Sequence, residues 1–340
     1  MERFSKGRVA GLVAVVAVMC VLPLILGGSS LLSEATRLVI LAGTAMTLNL
    51  LVGATGLMSM GLGLLFGLGA YAVAVGTLKF NMSYGNTAVI ALMLSIPVSV
   101  IAALICLRAR HMFFGLLTMA IGQVAYVIVS RSYGLTGGDE GLVGVPIPVW
   151  LDSDIAKHYF AVVAFSIVSI VLLRVISSPF GAMLGAVRDN ADRVASTGAN
   201  PKHYELAVMV IAGLLATGLG VVWSGTVGAV DPSQLSWVTS TMLVMMVALG
   251  GRSMFLGPVI GAVILEASRI YVQSFSAHSD FVVGALVILC AVLFPEGIGP
   301  KVVETSGRFA SGRNAAELST SRSEDVGQGI GKNGGVTKQS

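Results

Sequence analysis

Charge is scarce in this sequence. Asp, Glu, Lys and Arg make up 11% of the 340 residues, whereas 55% are hydrophobic. A soluble domain carries about 25% charged residues, because its water-facing surface needs them. The scarcity is sharper before residue 301, since ten of the 38 charges fall in the last forty residues. The composition argues against a soluble enzyme, a nucleic-acid-binding protein and a disordered chain, and it favours a protein surrounded by lipid.

Aromatic residues and cysteines are also few, and familiar catalytic motifs are missing. Only 7% of residues are aromatic and no alternating ten-residue pattern recurs, which argues against an outer-membrane barrel. The three cysteines lie inside apolar runs and are expected to be small buried hydrophobes: Cys20, Cys106 and Cys290. The sequence contains no Walker loop, metal-spaced histidines or serine nucleophile elbow, so we expect no cofactor and no metal. A conduit or a partner-binding function is favoured over an enzyme, although an intramembrane enzyme stays open.

Long apolar runs dominate the chain. A bilayer core about 30 Å thick needs about 20 apolar residues per helix. Ten runs approach this length: 9–28, 36–55, 57–78, 87–107, 112–130, 159–176, 206–229, 236–251, 254–273 and 281–295. We therefore predict an all-α, polytopic transmembrane bundle of about ten spans.

Three of these runs have alternative interpretations. Only Ala54-Thr55-Gly56 separates the second run from the third. The pair is therefore either two spans or one span followed by a broken or re-entrant helix. The first run is either a cleaved signal peptide or a retained helix, and its length favours the retained helix.

Lys and Arg are distributed unevenly over the predicted loops. With ten spans and the N-terminus inside, 16 of the 21 basic residues fall on the inner side. This bias is the one that the positive-inside rule describes. Both termini are therefore expected in the cytoplasm. Residues 1–300 then form the transmembrane domain, with a cytoplasmic loop at 177–205, and the polar residues 301–340 form a disordered cytoplasmic tail.

The cytoplasmic loop at 177–205 carries the most informative local pattern. Ser178 can cap a helix whose first residue is Pro179, and Gly198 can end it. Apolar residues recur every three or four positions from Leu184 to Val194. The loop is thus expected to hold a short amphipathic helical element. That element either lies flat on the lipid surface or enters a groove on a partner protein.

This loop resembles the cytoplasmic loop of the permease subunits of branched-chain amino-acid ABC transporters, the LivM-like family. The matching residues are Ser178, Pro179, Phe180, Gly181, Leu184, Ala186, Arg188, Ala195 and Gly198. Further segments resemble family motifs in the same order along the chain: 48–61, 66–71, 135–146 and 249–262. One such match is a weak indication, but five in the right order are a strong one.

The resemblance implies a transport subunit rather than an enzyme. Such a permease lies in the lipid bilayer of a bacterial inner membrane, pairs with a second permease subunit and has no nucleic-acid partner. Separate cytoplasmic ATP-binding subunits drive it, and an extracytoplasmic substrate-binding protein delivers its cargo. The implied cargo is a branched-chain or related small amino acid. Another small polar solute, such as urea, an amide or a sugar, stays open, as does an ion-coupled transporter acting alone. The near absence of charges at the centres of the spans disfavours ion coupling.

Two sets of candidate site residues follow. The resemblance implies an ATPase-docking set: Phe180, Gly181, Leu184, Arg188, Asp189, Ala195 and Gly198. Polar and glycine residues within the spans form the pore or helix-packing set: Asn49, Gly53, Gly56, Ser59, Gly61, Gln123, Gly251 and Gly257. The chain departs from the family pattern at Gln123, where the family often has Glu, and at Ala182, where it usually has Arg. The second departure weakens a simple charge-pairing model of docking.

Overall fold

Helices build almost the whole described chain. A computed structural model describes residues 2–25, 29–109, 112–252 and 254–273, so the predicted span 281–295 and the predicted tail 301–340 lie outside it. The helices are α1 (Glu2–Ile25), α2 (Ser29–Asn49), α3 (Leu62–Leu78), α4 (Tyr84–Cys106), α5 (Met112–Arg131), α6 (Tyr133–Thr136), α7 (Asp154–Ser177), α8 (Pro179–Asp189), α9 (Ala191–Ser196), α10 (Pro201–Val227), α11 (Trp237–Gly250) and α12 (Gly257–Gln273). Strand β1 (Leu142–Val143) pairs with β2 (Ala229–Val230) in one short antiparallel ladder. The prediction of an all-α bundle is confirmed.

The described residues do not confirm the ten predicted spans. Among the described residues, six helices are long and apolar enough to cross a membrane, while α3 and α11 are apolar but shorter. The predicted run 57–78 is helical only from Leu62, because residues 56–61 form a non-helical segment. The predicted run 236–251 corresponds to α11, which has 14 residues. The described chain is a multi-pass bundle in which two apolar helices are too short to span the bilayer unaided.

Helix α10 lies at the centre of the bundle and packs against α2, α3, α4 and α7. Its contact with α3 is tight, because a Cβ on Gly69 would collide with the Thr217 backbone and a Cβ on Gly220 with the Phe66 backbone. The Thr217 hydroxyl also donates to the Leu65 carbonyl, 2.9 Å away. Lipid is as apolar as leucine, so close packing of this kind and interhelical hydrogen bonds hold membrane helices together.

The outward faces of α4, α5 and α7 carry large exposed apolar side chains. Met93, Phe113 and Ile167 are each more than half exposed. In water such a continuous apolar surface would promote aggregation, whereas in a bilayer it is the surface that hydrocarbon requires. These faces therefore identify the sides of the bundle that meet lipid or another apolar subunit.

Helix α1 is attached to α7 by two hydrogen bonds, which side chains of α7 donate to backbone carbonyls of α1. Pro23 lies inside α1 and has no N–H, so the Met19 carbonyl four residues earlier loses its helical donor. His158 Nε2 donates to that carbonyl at 3.0 Å, and the Tyr159 hydroxyl donates to the next carbonyl, Cys20, at 3.2 Å. The fully buried His158 ring also lies 3.1 Å from the Thr36 hydroxyl through Nδ1. One proline in α1 thus creates the acceptor that fixes this helix against the bundle.

Candidate functional site

The connection between α2 and α3 is a break in the helix. After Asn49 the chain widens into one π-helical segment, Leu50–Thr55, and regular helix resumes only at Leu62. Gly56 ends the π segment at φ 72° and donates its N–H to the Leu51 carbonyl. This φ lies in the left-handed region of backbone conformation, where a residue with a side chain is strained, so a glycine is favoured at position 56. Of the alternatives for residues 36–78, the structure has two helices joined by a non-helical segment. We call residues 50–61 the first break.

A second break joins α11 to α12. Gly251 follows α11 at φ 93°, and α12 begins at Gly257. The Gly250 and Gly257 backbones lie in direct contact, so that a Cβ on Gly250 would collide with the Gly257 carbonyl group. Helical order is therefore interrupted twice, and in this second break backbone packing holds the two helix ends together.

The two breaks meet. The Asn49 side chain donates from Nδ2 to the Met254 carbonyl at 3.2 Å. A Cβ on Gly53 would lie 2.8 Å from the Arg252 carbonyl oxygen. The Asn49 Oδ1 atom is buried and has no hydrogen-bond partner among the described residues. Four residues of the predicted pore or packing set thus come together at this junction: Asn49, Gly53, Gly251 and Gly257.

The loop between α7 and α10 forms two short capped helices, α8 and α9. Ser178 caps α8 by accepting from the Gly181 N–H at 3.3 Å, and Asn190 caps α9 by accepting from the Arg193 N–H at 2.9 Å. Gly181 is required for the tight turn out of α7, because a Cβ there would meet the Val175 carbonyl oxygen at 2.5 Å. The predicted amphipathic element is confirmed, but Asn190 divides it into two helices.

One face of helices α8 and α9 belongs to the core of the bundle. Leu184 is fully buried, and the Phe180 ring packs against Tyr204 with 5.8 Å between centroids. The exposed members of the predicted docking set are Arg188, Asp189, Ala195 and Gly198. Leu184 therefore positions α8, and the remaining exposed residues form the surface that a partner can reach.

Arg188 connects α8 to the first break. Its Nη1 donates to the Gly53 carbonyl at 2.7 Å. That carbonyl is available because the Leu57 N–H, four residues later, donates instead to Leu51 at 3.2 Å. The Arg188 Nε and Nη2 atoms both donate to Asp189 Oδ1 at 3.1 Å, which orients the guanidinium. A cation at the carbonyl end of a helix is also electrostatically favourable.

Gly56 completes this contact. A Cβ on Gly56 would lie 3.0 Å from Arg188 Cγ, so the glycine gives the arginine stem room to cross the break. Helix α8 and the first break are thus joined by a hydrogen bond between residues 135 positions apart in the sequence.

The far end of the first break rests on α5. The Met60 N–H donates to the Thr118 hydroxyl at 3.1 Å, and a Cβ on Gly61 would lie 2.5 Å from the Thr118 carbonyl oxygen. Ser59 and Gly61 line a small cavity of about 20 Å³ together with Thr118 and Met209. Ser59 and Gly61 therefore contact α5 rather than the junction of the two breaks.

Gln123, on α5, is a member of the predicted set that the described contacts do not place at the junction. Its Oε1 atom is buried without a hydrogen-bond partner among the described residues. The 3-10 turn Pro232–Leu235, which has no counterpart among the predicted site residues, also enters the bundle. Leu235 packs against Gly67, and the Gln234 Oε1 atom is buried without a partner in the described part of the chain. The local sequence of this loop, which contains Pro and Ser, gives no indication that the loop is buried in the bundle.

The chain resembles known permeases over most of its length. The family model described as "Branched-chain amino acid transport system / permease component" matches residues 30–291. The high-affinity branched-chain amino acid transport system permease protein LivM of Salmonella typhimurium is 23% identical over 300 residues, 80% of this chain and 70% of that protein. The Escherichia coli protein of the same name is 22% identical over 280 residues, 74% of this chain and 66% of that protein.

A more distant relative comes from an archaeon. The probable branched-chain amino acid transport permease protein LivM of Methanocaldococcus jannaschii is 22% identical over 202 residues, 58% of each chain. No solved structure matches the chain. The family match covers both breaks and helices α8 and α9. This chain therefore belongs to the family of permease components of branched-chain amino-acid transport systems.

Proposed function

We propose that this permease subunit moves branched-chain or related small amino acids inward, as part of an ATP-driven ABC importer. It forms the pore with a second permease subunit. Cytoplasmic ATP-binding subunits dock on α8 and α9, and an extracytoplasmic binding protein delivers the substrate. The family match and the names of the relatives support the cargo.

The proposed topology has ten spans with both termini in the cytoplasm. The shorter helices α3, α11 and α12 count as spans, because α3 continues across the first break into α2 and α11 continues across the second break into α12, and the apolar run 281–295 supplies the tenth. A reporter fused after Val303 should be active only as a cytoplasmic fusion, and one inserted after Lys79 only as an external fusion. The reverse pattern at either position would overturn this topology.

The bond from Arg188 to the Gly53 carbonyl carries the mechanism. When the ATP-binding subunits close, they displace α8, and the guanidinium transmits this displacement to the first break. A π-helical segment ending at a glycine is a weak point in a helix, so movement concentrates there. Asn49, which directly precedes the first break, passes the movement to the second break through Met254. The two breaks then open or close the path together.

The test is uptake of radiolabelled leucine by proteoliposomes that hold the complete importer. Arg188→Gln removes the charge and the bond to Gly53, whereas Arg174→Gln removes an exposed arginine in the last turn of α7. We expect Arg188→Gln to lower the leucine transported per ATP hydrolysed about tenfold, while the ATP-binding subunits still co-purify. Arg174→Gln should behave like the unmodified protein.

Two results would contradict the proposal. Uptake that needs no ATP-binding subunit would mean a transporter acting alone. An unchanged ratio of leucine to ATP in Arg188→Gln would mean that α8 does not act on the first break through this bond.

A further inference from the structure

A polar cavity opens at the opposite end of the bundle from the docking helices. It lies between the second turn of α2, the first turn of α7 and the last turn of α10 and has a volume of about 270 Å³. Its polar lining includes Glu34, Thr36, Arg37, Asp154, Lys157 and Thr226. Under the proposed topology this outer cavity faces the side from which substrate arrives.

The charges of the outer cavity are balanced, two acidic and two basic. Arg37 pairs with Glu34 at 3.4 Å, and Lys157 pairs with Asp154 at 3.2 Å. Each pair joins residues three positions apart on one helix, so the two pairs stand on separate walls. A guanidinium has five N–H donors and an ammonium three, and each pair uses only one of them. Both cations therefore keep donors for a ligand.

A second layer of polar groups lies behind Arg37. The Arg37 guanidinium stacks on the Trp223 ring, 5.3 Å from its centroid. Glu266 is 6% exposed, interacts electrostatically with Arg37 and Arg269, and has an Oε1 atom without a hydrogen-bond partner among the described residues. The Trp223 Nε1–H is also buried without a partner there. Glu266 and Trp223 do not line the outer cavity and act on it only through Arg37.

These observations define the ligand chemistry. Pockets for drug-sized ligands measure roughly 300–1,000 Å³, so the outer cavity suits a smaller molecule. Balanced charges give no net attraction for a simple anion or cation, but they suit a dipolar molecule that carries both signs. A free amino acid at neutral pH is such a molecule.

We propose that the outer cavity binds one free α-amino acid as its zwitterion before translocation. Arg37 and Lys157 hold the carboxylate, and Glu34 and Asp154 hold the ammonium group. The side chain of the amino acid lies toward Val227, the apolar residue of the lining. This inference rests on the proposed function, because it gives the permease a substrate site of its own.

The test uses Trp223 as the probe, since it touches Arg37. The complete permease–ATPase complex is purified with Trp150→Phe and Trp237→Phe, which leave Trp223 as the one tryptophan of this subunit. L-leucine should change the Trp223 emission in a saturable way, measured as the difference from a complex that also carries Trp223→Phe. Leucine amide, which lacks the carboxylate, and 4-methylpentanoate, which lacks the ammonium group, should each bind at least about tenfold more weakly.

Matched variants identify the groups that bind. Arg37→Gln should weaken leucine binding about tenfold and remove the preference for leucine over leucine amide. Lys157→Gln leaves the contact with Trp223 intact and should reduce the same preference, so it keeps the test decisive if Arg37→Gln folds poorly. Arg131→Gln, at the exposed end of α5 and outside the lining, should leave binding unchanged.

The outcomes separate this inference from the proposed function. A complex that imports leucine with ATP but shows no saturable Trp223 response would overturn the outer cavity and leave the importer intact. Binding that keeps its preference for leucine over leucine amide in both Arg37→Gln and Lys157→Gln would also overturn it. Loss of ATP-driven leucine uptake in the unmodified complex would reject the proposed function, and the titration would still report on the cavity.

Discussion

The two breaks differ in what holds them. The first break is bonded to α8 through Arg188 and rests on α5 through Thr118. The second break is held by backbone packing between Gly250 and Gly257 and is bonded to the first through Asn49. In the proposed mechanism, a displacement of α8 reaches the first break directly and the second break through one amide. The two breaks therefore differ in their contacts, and substitutions can separate their roles.

The largest effect is expected from adding a side chain where the two backbones of the second break touch. Gly250→Ala places a Cβ against the Gly257 carbonyl group, which is backbone and cannot rotate away. We expect the free energy of unfolding to fall by about 3 kcal/mol, with loss of transport. Gly218→Ala is the matched control, since its Cβ would meet only the Leu92 side chain at 3.9 Å. Thermal unfolding of both variants measures the difference, and equal stability would refute the tight packing.

The next effect concerns the first break. Gly56→Ala forces a side chain into the left-handed region at φ 72° and brings its Cβ to 3.0 Å from Arg188 Cγ. We expect a cost of about 1–2 kcal/mol and a lower ratio of leucine transported to ATP hydrolysed. If Gly56→Ala lost stability but kept the full ratio, the contact between Arg188 and the first break would have no role in coupling.

A smaller effect is expected at the bond between the breaks. Asn49→Ala removes the donor to the Met254 carbonyl and should cost about 1 kcal/mol. ATP hydrolysis should stay near its original rate while leucine uptake falls several-fold, because the second break no longer follows the first. Ser99→Ala is the control, since the buried Ser99 hydroxyl has no partner among the described residues. Parallel losses of hydrolysis and uptake in Asn49→Ala would argue that the two breaks do not move in sequence.

The smallest effect tests whether the docking helix itself tolerates change. Gly185 lies within α8, and a Cβ there would have no atom within 4 Å. Gly185→Ala should stabilise α8 by about 0.5 kcal/mol through its higher helix propensity and leave transport unchanged. A loss of ATPase association in this variant would place Gly185 on the docked surface, and thermal shift with co-purification distinguishes the two results.

Local features could be predicted from the sequence. Ser178 and Pro179 start α8, Gly198 follows α9, and the glycines near residue 56 mark an interrupted helix. These features could be predicted because caps, helix breaks and apolar periodicity each depend on only a few neighbouring residues. The division at Asn190 was missed, since an asparagine serves equally as a helix residue on a polar face and as a cap.

Contacts between distant segments could not be predicted in this way. The bonds from Arg188 to Gly53 and from Asn49 to Met254 join residues 135 and 205 positions apart. A polar residue within an apolar run indicates that it faces protein, but not which carbonyl it meets. The grouping of Arg37 with Lys157 at the outer cavity could not be predicted for the same reason, because it depends on which helices begin side by side.

The attachment of α1 has a consequence for assembly. Met19 and Cys20 enter the membrane with α1, well before His158 and Tyr159 have been synthesised. Because of Pro23, the Met19 carbonyl then faces hydrocarbon without its helical donor, a state that costs free energy in lipid. When α7 packs against α1, His158 donates the missing hydrogen bond to the Met19 carbonyl. The same proline thus gives the growing bundle a thermodynamic reason to recruit α1 at one register, and the order of synthesis decides when that helix is captured.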